Sequence, residues 1–545
     1  MTNNICEENI EKNLKTVNEN RGPSVFVAVT GSEQDKNYWQ EHFEAVRGEL
    51  FRHDKSTLII SVSENVRKGN FLGTLNAWLC TKKEMSIKKQ KMPNIVLVSM
   101  IFGQGKRLAP FTQVLGNRKS AFPLPYNSKH EGLFLCSADL SCLYSNLWVE
   151  ELENSGFRGV IVKWGDEAII PGNTLNHESV DLKKVDGIRF FWKRNLTEDL
   201  TRDKESLLVE KTTGLVLRQY ARGNYENLKN TLSVLPFDKF KVGVNLGSLA
   251  ISYDFLDIAA EVFKEDINNP SKWVDWDPYI WIALHCESES QWHELLQSEK
   301  NNNTSNLSDL VERFPDLYQK ITQVKLSLQY KTSRDFAAYA FDFGEPYWAD
   351  FGLHRTLRQQ FESLLEDSDI GIVSRKLFQI PEELDENGNR IIRSVIPPDS
   401  KIFNSIIIDS VITDSSTYVN HGLIVGGTHK YVYMPEGGSA LFCAVGNIEF
   451  DGPHGIAFLA VGMNIVISKG GRHTTLPEIL GFRQLVGNES IIDLKGENYD
   501  QKILGNELSF AEVEKLMSIV DPKSIDLLQR LHKKIRLQGW EYLEK

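Results

Sequence analysis

A glycine-rich loop close to two basic residues is the part of the sequence best suited to bind an anionic ligand. Residues 103–112 read GQGKRLAPFT and follow an apolar run that is typical of a buried strand. Gly103 and Gly105 carry no Cβ atom, so backbone N–H groups there can approach a phosphate closely. Arg107 and Lys119 supply the positive charge that a triphosphate needs. The pattern predicts a phosphate-binding loop.

This loop differs from two common nucleotide-binding motifs. It has no G-K-[ST] step, which a P-loop requires, and it lacks the third glycine of a dinucleotide-binding fingerprint. Neither motif therefore accounts for the loop.

The loop resembles the signature of the sugar-phosphate nucleotidyltransferases, also called nucleotide-sugar pyrophosphorylases. That signature reads G-x-G-[x]-R-L-x-P-x-T, with a lysine about a dozen residues further on. The resemblance implies that Arg107 and Lys119 are catalytic residues, which clamp the triphosphate and the attacking sugar phosphate. Two positions depart from the family, since Lys106 stands where a small hydroxyl residue is usual and Arg118 where proline is usual. The implied nucleotide-binding residues are Gly103, Gln104, Gly105 and Lys106.

Two aspartates are implied to hold a metal ion. Asp166 follows a buried-strand pattern, as the family's strand-end Gly-Asp does, and Asp350 lies in a segment similar to the family's W-x-D-x-G. The resemblance implies that both bind Mg²⁺, which prefers oxygen ligands and needs only one or two carboxylates beside phosphates. A helix cap or turn is the alternative role for Asp166, and a turn is the alternative for Asp350.

Three further residues are implied to bind the sugar. Asn245 and Gly247 match the family's N-x-G segment, for which the alternative is a strand edge with a tight bend. Arg222 is the cation nearest to the place where the family carries E-K-P, whose glutamate and lysine are absent here.

The resemblance as a whole implies an enzyme of nucleotide-sugar biosynthesis. An oxygen of a sugar 1-phosphate attacks the α-phosphorus of a nucleoside triphosphate, pyrophosphate leaves, and Mg²⁺ is the cofactor. The base and the sugar are not specified by these motifs.

Two other functions are left open. Asp275 and Asp277 form a D-x-D pair, which could bind a metal and the diphosphate of a nucleotide sugar in a glycosyltransferase. Against this, Pro278 and the apolar residues after it indicate the start of a packed helix. The second alternative is a regulatory pseudo-nucleotidyltransferase that binds nucleotide without turnover.

The elements that position these residues alternate between strands and helices. Strand patterns at 24–29, 57–60, 94–98 and 159–163 are separated by helical segments. This alternation predicts an α/β fold with a Rossmann-like, mostly parallel sheet. In compact members of the family the loop follows the first strand, whereas about 90 residues precede it here. The extra segment is either an added layer or part of a rearranged sheet.

The pattern changes beyond residue 400. Ile406, Ile412, Tyr418 and Ile424 recur every six residues, as in a parallel β-helix whose turns stack their inward residues. We predict a C-terminal left-handed parallel β-helix-like domain, with a β-sandwich as the alternative. The expected organisation is a flexible tail (1–22), a nucleotidyltransferase domain (23–375), a linker (376–400), a β-helix-like domain (401–480) and a C-terminal cap with helices (481–545).

Composition excludes several classes of protein. The 545 residues are 41% hydrophobic and 25% charged, which is typical of a multidomain globular chain. A net charge of −11 gives no general attraction for nucleic acid or anionic membranes, and no apolar stretch is long enough to span a bilayer. The polar N-terminus and six cysteines without a C-x-x-C pair indicate a cytoplasmic protein with reduced thiols. We also expect that a homo-oligomer can form through the C-terminal domain.

Overall fold

The structure is a computed structural model of the whole chain. It describes residues 7–19, 22–51, 56–64, 69–103, 105–128, 134–173, 181–223, 225–234, 238–269, 279–302, 315–478, 481–492 and 498–519.

The helices in chain order are α1 (Glu7–Glu19), α2 (Glu33–Leu50), α3 (Gly69–Ile87), α4 (Phe111–Val114), α5 (Ser137–Asn154), α6 (Glu198–Asp203), α7 (Tyr225–Val234), α8 (Tyr253–Val262), α9 (Lys264–Asn268), α10 (Tyr279–Leu284), α11 (Glu289–Asn302), α12 (Leu317–Thr332), α13 (His354–Ser363), α14 (Asp369–Leu377) and α15 (Phe510–Ile519). Short 3-10 helices lie at Lys106–Leu108, Lys119–Ala121 and Leu182–Lys184.

The strands in chain order are β1 (Val25–Thr30), β2 (Leu58–Ser63), β3 (Ile95–Met100), β4 (Gly159–Trp164), β5 (Glu167–Ile170), β6 (Gly187–Lys193), β7 (Ser206–Glu210), β8 (Val216–Tyr220), β9 (Phe240–Ser252), β10 (Ala338–Asp342), β11 (Tyr347–Asp350), β12 (Arg390–Ile392), β13 (Lys401–Phe403), β14 (Ile406–Ile408), β15 (Val411–Ile412), β16 (Tyr418–Asn420), β17 (Gly422–Val425), β18 (Thr428–Met434), β19 (Gly438–Leu441), β20 (Ala444–Asp451), β21 (Ile456–Phe458), β22 (Val461–Ser468), β23 (Gly471–Glu478) and β24 (Gly481–Asn488).

The chain divides into two compact units, each built from three segments. The first unit comprises Met1–Ile101, Ser141–Gly165 and Ile169–Tyr347, and the second comprises Phe102–Leu140, Asp166–Ala168 and Trp348–Lys545. The sequence-predicted boundaries at residues 375 and 400 both fall inside the second unit.

A largely parallel sheet forms the centre of the first unit. Among the described residues its strand order is β10-β6-β9-β4-β3-β1-β2, with β7 and β8 joined beside β9. Strands β9, β7 and β8 run antiparallel to their neighbours, and the other pairs are parallel. All residues of β1 and β3 are buried, as expected for strands of a parallel sheet covered on both faces. The prediction of a mixed α/β chain with a mostly parallel sheet is confirmed.

The strands that precede the glycine-rich loop belong to this same sheet. Strand β1 pairs with β3, and β2 pairs with β1 at the edge, both in parallel. They are therefore not a separate layer, and of the two arrangements that the sequence left open the rearranged sheet is observed.

Helix α1 occupies part of the segment predicted to be a flexible tail. Its Ile10, Leu14 and Val17 side chains are buried, and Asn13 donates hydrogen bonds from Nδ2 to the carbonyls of Pro171 and Asn173. These apolar residues are spaced by four and three positions, which places them on one helical face. That short apolar period is a signal the tail prediction overlooked.

Parallel sheets form much of the second unit. One has the order β12-β14-β17-β19-β21-β23-β24, and the other has the order β13-β16-β18-β20-β22 with β15 beside β18. Partner residues in the parallel pairs of the first sheet are 16 or 17 positions apart, as in Ile407 with Ile424 and Ile424 with Ala440, whereas β23 and β24 pair antiparallel. Residues 390–392, which the sequence assigned to a linker, pair as β12 with β14.

The six-residue period holds only on average in this region. Ile407, Ile412, Val419 and Ile424 lie in one buried core, with intervals of five, seven and five residues. Tyr418 is instead half-buried and pairs in register with Tyr433, with the two ring centroids 6.0 Å apart. The apolar pattern therefore located the core, but it assigned Tyr418 to the wrong face.

The part of the chain that the structure describes contains no helix with the length and apolar character needed to cross a membrane. Residues 520–545, the end of the predicted C-terminal cap with helices, lie outside the described residues.

Candidate functional site

The glycine-rich loop belongs to the second unit, and both of its glycines are required by their surroundings. Gly103 has φ +122°, and a Cβ atom there would lie 3.1 Å from Lys119 Cε. Gly105 has φ +61°, and a Cβ atom would lie 2.6 Å from Thr112 Cγ2 and 2.7 Å from Lys119 Cβ. Both residues thus adopt a backbone conformation that favours glycine and lie directly against the Lys119 side chain.

Lys119 and Asp166 form an ion pair next to this loop. Lys119 Nζ lies 2.9 Å from Asp166 Oδ2, and the two side chains are only 20% and 14% exposed. Burial alone would raise the pKa of Asp166, but Lys119 and then Arg107 outweigh it, so the pKa lies below its usual value. Asp166 is therefore ionised at neutral pH, and Arg107 is close enough to act on its charge.

Asp350 lies beside Asp166, and Gly352 brings the two carboxylates together. A Cβ atom on Gly352 would lie 2.9 Å from Asp166 Oδ2 and 3.1 Å from Asp350 Oδ1. The Gly352 N–H donates to Asp350 Oδ1 at 2.8 Å, and the Phe351 N–H donates to the Asp166 carbonyl at 2.9 Å. Asp350 thus makes the turn contact that the sequence left open, and the same turn aims it at Asp166.

The aromatic residue of this turn is also held in place. Trp348 Nε1 donates to Glu167 Oε2 at 2.7 Å, which ties the segment containing Asp350 to the residue that follows Asp166. Residues about 180 positions apart in the sequence therefore face each other.

These carboxylates suit a hard metal ion. Their donor atoms are oxygens, as Mg²⁺ prefers, and the absence of a side chain at Gly352 keeps the space between Asp166 Oδ2 and Asp350 Oδ1 open. The residues present therefore fit the ion that the sequence predicts.

The charge around the loop is locally positive in an acidic chain. Lys106 and Arg107 are exposed, and Lys119 is partly exposed. Three cations against the two aspartates leave a net positive charge, although the whole chain carries −11. The loop can therefore attract an anion that the rest of the chain does not.

In the structure Asp166 and Arg107 lie beside the loop, and two residues to which the sequence analysis gave no role also contact it. Thr112 is buried, and its hydroxyl lies 3.0 Å from the Gly105 carbonyl oxygen, to which it can donate. Tyr499 lies 4.9 Å, ring centroid to Nζ, from Lys106. Thr112 is part of the quoted motif, whereas nothing in the sequence near Tyr499 connects it with the loop.

The three predicted sugar-binding residues belong to the first unit, and two of them, Asn245 and Arg222, lie against Glu205, which the sequence analysis missed. Glu205 Oε2 accepts hydrogen bonds from Asn245 Nδ2 at 2.7 Å and from Gln219 Nε2 at 3.0 Å. The Arg189 guanidinium lies 3.8 Å from Oε2, and Arg222 Nε lies 4.0 Å from Oε1. We call Glu205, Gln219, Asn245 and Arg189 the Glu205 cluster.

The Asn245 side chain is occupied by contacts within the protein. It is 3% exposed, its Nδ2 donates to Glu205, and its Oδ1 accepts from the Gly247 N–H at 3.4 Å. Gly247 has φ +82°, which is the tight bend left open as the alternative. Arg222, with 61% of its side chain exposed, is the accessible member of the predicted set. Sugar binding by these residues stays a prediction.

Several predicted positions lie outside the described residues. These are Gln104 in the loop and the D-x-D residues Asp275 and Asp277.

No protein-family model and no curated protein matches the chain.

Proposed function

We propose that the chain is a sugar-1-phosphate nucleotidyltransferase, which transfers a nucleotidyl group from a nucleoside triphosphate to a sugar 1-phosphate and releases pyrophosphate. The observation that carries the proposal is the contact of Lys119 with Asp166 beside two glycines at positive φ, with Arg107 and Asp350 adjacent. This arrangement combines a phosphate-binding backbone, two cations and two carboxylates in one place.

The proposed reaction needs no covalent intermediate on the protein. An oxygen of the sugar 1-phosphate attacks the α-phosphorus, the bond between that phosphorus and the bridging oxygen breaks, and the pyrophosphate carries the electron pair away. Catalysis then consists of positioning and charge neutralisation. Lys119 has three N–H donors and uses one on Asp166, so two can hold phosphate oxygens. Arg107 would neutralise the departing pyrophosphate.

Asp166 and Asp350 would hold Mg²⁺, which when bound supplies positive charge to the phosphates. The Asp166 carboxylate is suited to this because its lowered pKa keeps it ionised at neutral pH. Gly103, Gly105 and Lys106 would bind the nucleotide with Gln104.

Four finer features belong to the same proposal. The first unit would have the Rossmann-like fold of nucleotidyltransferases, and the parallel sheets of the second unit would form a left-handed β-helix, supported by their 16- and 17-residue spacing. Self-association through the β-helix would give a homo-oligomer. A cytoplasmic location is supported by described cysteines that remain thiols, such as Cys142 and Cys286.

The test is pyrophosphate release with Mg²⁺ across four nucleoside triphosphates and a panel of sugar 1-phosphates. We expect release that requires both substrates and falls at least ~100-fold in Arg107→Ala, the usual cost of losing one preorganised charge contact. Arg355→Ala, which removes an exposed arginine of the same unit, is the matched control. A glycosyltransferase would instead consume a nucleotide sugar without pyrophosphate release, and a regulatory protein would bind nucleotide without turnover. Unchanged release in Arg107→Ala would refute the assigned role.

A further inference from the structure

A tyrosine close to the C-terminal helix makes direct contact with the glycine-rich loop, and both belong to the second unit. Tyr499 is 3% exposed. The Lys106 ammonium lies over its ring, 4.9 Å from the centroid, a geometry in which a cation is attracted to the aromatic face. Lys106 stands where related loops carry a small hydroxyl residue, and this ring is its partner here.

The Tyr499 hydroxyl extends this contact through a chain of hydrogen bonds. It accepts from Gln113 Nε2 at 2.8 Å and donates to Glu514 Oε2 at 2.6 Å. On the other side, the Thr112 hydroxyl lies 3.2 Å from Gln113 Oε1 and 3.0 Å from the Gly105 carbonyl oxygen. Polar contacts therefore run from Glu514 through Tyr499 and Gln113 to Thr112, whose single hydroxyl proton is donated either to Gln113 Oε1 or to the Gly105 carbonyl oxygen.

The side chains in this run of polar contacts are buried, so the loss of one contact leaves a buried polar group without a partner. Thr112 and Gln113 are fully buried, and a buried side-chain amide without partners is costly. Burial and the adjacent Glu514 carboxylate raise the pKa of Tyr499, so its hydroxyl keeps its proton and remains a donor.

Helix α15 holds Glu514, at the far end of this run of polar contacts. Its first turn is capped reciprocally, since the Ser509 N–H donates to Glu512 Oε2 at 2.7 Å and the Glu512 N–H donates to Ser509 Oγ at 3.2 Å. Asn117 Nδ2, just beyond the loop, donates to the Glu514 carbonyl at 3.0 Å. The helix is thus attached to both the loop and the residues preceding Lys119.

Apolar contacts hold the same parts together. Ala109 of the loop, Tyr499 and Phe510 of α15 form one buried cluster, with Ile503 packed against it. The run of polar contacts is therefore anchored on a small core and is not a surface contact.

We propose that Tyr499 is a positioning residue for the glycine-rich loop. Its ring holds Lys106, and its hydroxyl fixes the Gln113 side chain, which lies against the Thr112 hydroxyl beside Gly105, so that the loop keeps the form that receives the triphosphate. The inference rests on the proposed nucleotidyl transfer for its kinetic consequences, but the coupling of Tyr499 to the loop can be measured without any activity.

The experiment compares Tyr499→Leu, Tyr499→Phe and Lys106→Met with wild type. We expect Tyr499→Leu to raise the KM for the nucleoside triphosphate about tenfold, because a loop displaced by a fraction of an ångström binds poorly. The KM for the sugar 1-phosphate should not change. Tyr499→Phe keeps the ring and loses only the hydroxyl bonds, so its effect should be smaller, about threefold. Lys106→Arg should rescue what Lys106→Met loses, because arginine also stacks on an aromatic ring.

Hydrogen exchange of a peptide covering residues 105–117 provides the second readout. We expect this peptide to exchange faster in Tyr499→Leu and Lys106→Met than in wild type. Its exchange should be unchanged in Tyr330→Leu, which removes a tyrosine that is 92% exposed in the first unit. If wild type releases no pyrophosphate, the proposed function fails, and the exchange data alone decide the inference. Unchanged exchange and an unchanged triphosphate KM in both Tyr499 variants would overturn it. Equal increases in both substrates' KM, without rescue by Lys106→Arg, would reduce Tyr499 to a general stabilising role and also overturn it.

Discussion

Two of the clusters in which carboxylates meet cations among the described residues, one in each unit, differ in their hydrogen-bond partners and in the residues beside them. In the second unit, Lys119 and Asp166 are partly exposed, and Gly103 and Gly352 lie directly against them. In the first unit, the carboxylate of Glu205 is 9% exposed and accepts hydrogen bonds from two buried amides.

This difference distinguishes a site that can receive a ligand from one that is already satisfied. Lys119 packs against Gly103 and Gly105, and two of the three N–H donors of its ammonium are not used on Asp166. Around Glu205 the polar atoms of Asn245 are used by the protein itself. Charge and residue type are alike in the two places, and the hydrogen-bond partners distinguish them.

The largest expected effect is the loss of turnover when Asp166 is changed. Asp166→Asn removes the charge that holds Lys119 while keeping the shape, and we expect turnover to fall at least ~100-fold. Glu205→Gln makes the same kind of change in the other cluster, and we expect kcat to stay within about threefold, since no reacting group is touched. Initial rates of pyrophosphate release measure both.

Asp399→Asn, an exposed aspartate of the second unit, serves as the control for Asp166. A loss of kcat in Glu205→Gln as large as that in Asp166→Asn would show that the buried cluster takes part in the chemistry.

The second effect concerns stability, and here the larger change is expected in the cluster around Glu205. Glu205→Ala leaves the fully buried Arg189 side chain without its nearby carboxylate, and removing one partner of a buried ion pair costs about 3 kcal/mol. We expect the free energy of unfolding, measured by urea denaturation, to fall by about that amount. Glu226→Ala, a glutamate with a 70% exposed side chain, should change it by less than about 0.5 kcal/mol. Equal stability of the two variants would contradict the buried-pair interpretation.

Lowering the pH to 5 should leave the Lys119–Asp166 ion pair intact and act instead on a buried histidine. The lowered pKa of Asp166 keeps it ionised at pH 5, whereas burial lowers the pKa of His429 to about 4. Its two ring nitrogens have no hydrogen-bond partner among the described residues. An unfolded histidine titrates near 6.5, so between these values the unfolded chain binds a proton that the folded chain excludes.

The free energy of unfolding should therefore fall as the pH is lowered, by about 2 kcal/mol at pH 5 from His429 alone. His429→Leu should remove that part of the pH dependence, as denaturation at pH 7 and pH 5 would show. An unchanged slope in His429→Leu would mean that the folded chain protonates this residue readily.

The smallest effect tests the space between the carboxylates. Gly352→Ala places a Cβ 2.9 Å from Asp166 Oδ2 and 3.1 Å from Asp350 Oδ1, so the oxygens must shift by a few tenths of an ångström. We expect kcat to fall about tenfold and a higher Mg²⁺ concentration to be needed for half-maximal rate. Gly48→Ala, where a Cβ would meet nothing within 4 Å, is the control. Full activity with an unchanged Mg²⁺ requirement in Gly352→Ala would show that Asp166 and Asp350 do not hold the metal between them.

Local patterns in the sequence predicted most of the strands and the position of the loop. Apolar runs such as 94–98 and 159–163 correspond to β3 and β4, because a strand buried on both faces must be apolar throughout. The pairing of β1 with β3 could not be predicted, since strand order depends on contacts between distant segments and not on the strands themselves.

The same limit applies to the two clusters. The sequence by itself determined that a glycine-rich loop with Arg107 and Lys119 follows a buried strand, because backbone freedom and charge are local properties of residue type. Only the tertiary structure decided that Asp166 contacts Lys119, that Asn245 donates to Glu205, and that the Tyr499 ring lies against Lys106. Those outcomes depend on which side chains, distant in the sequence, come into contact in the fold. A polar group is available to a ligand only where other residues of the chain do not already bond it.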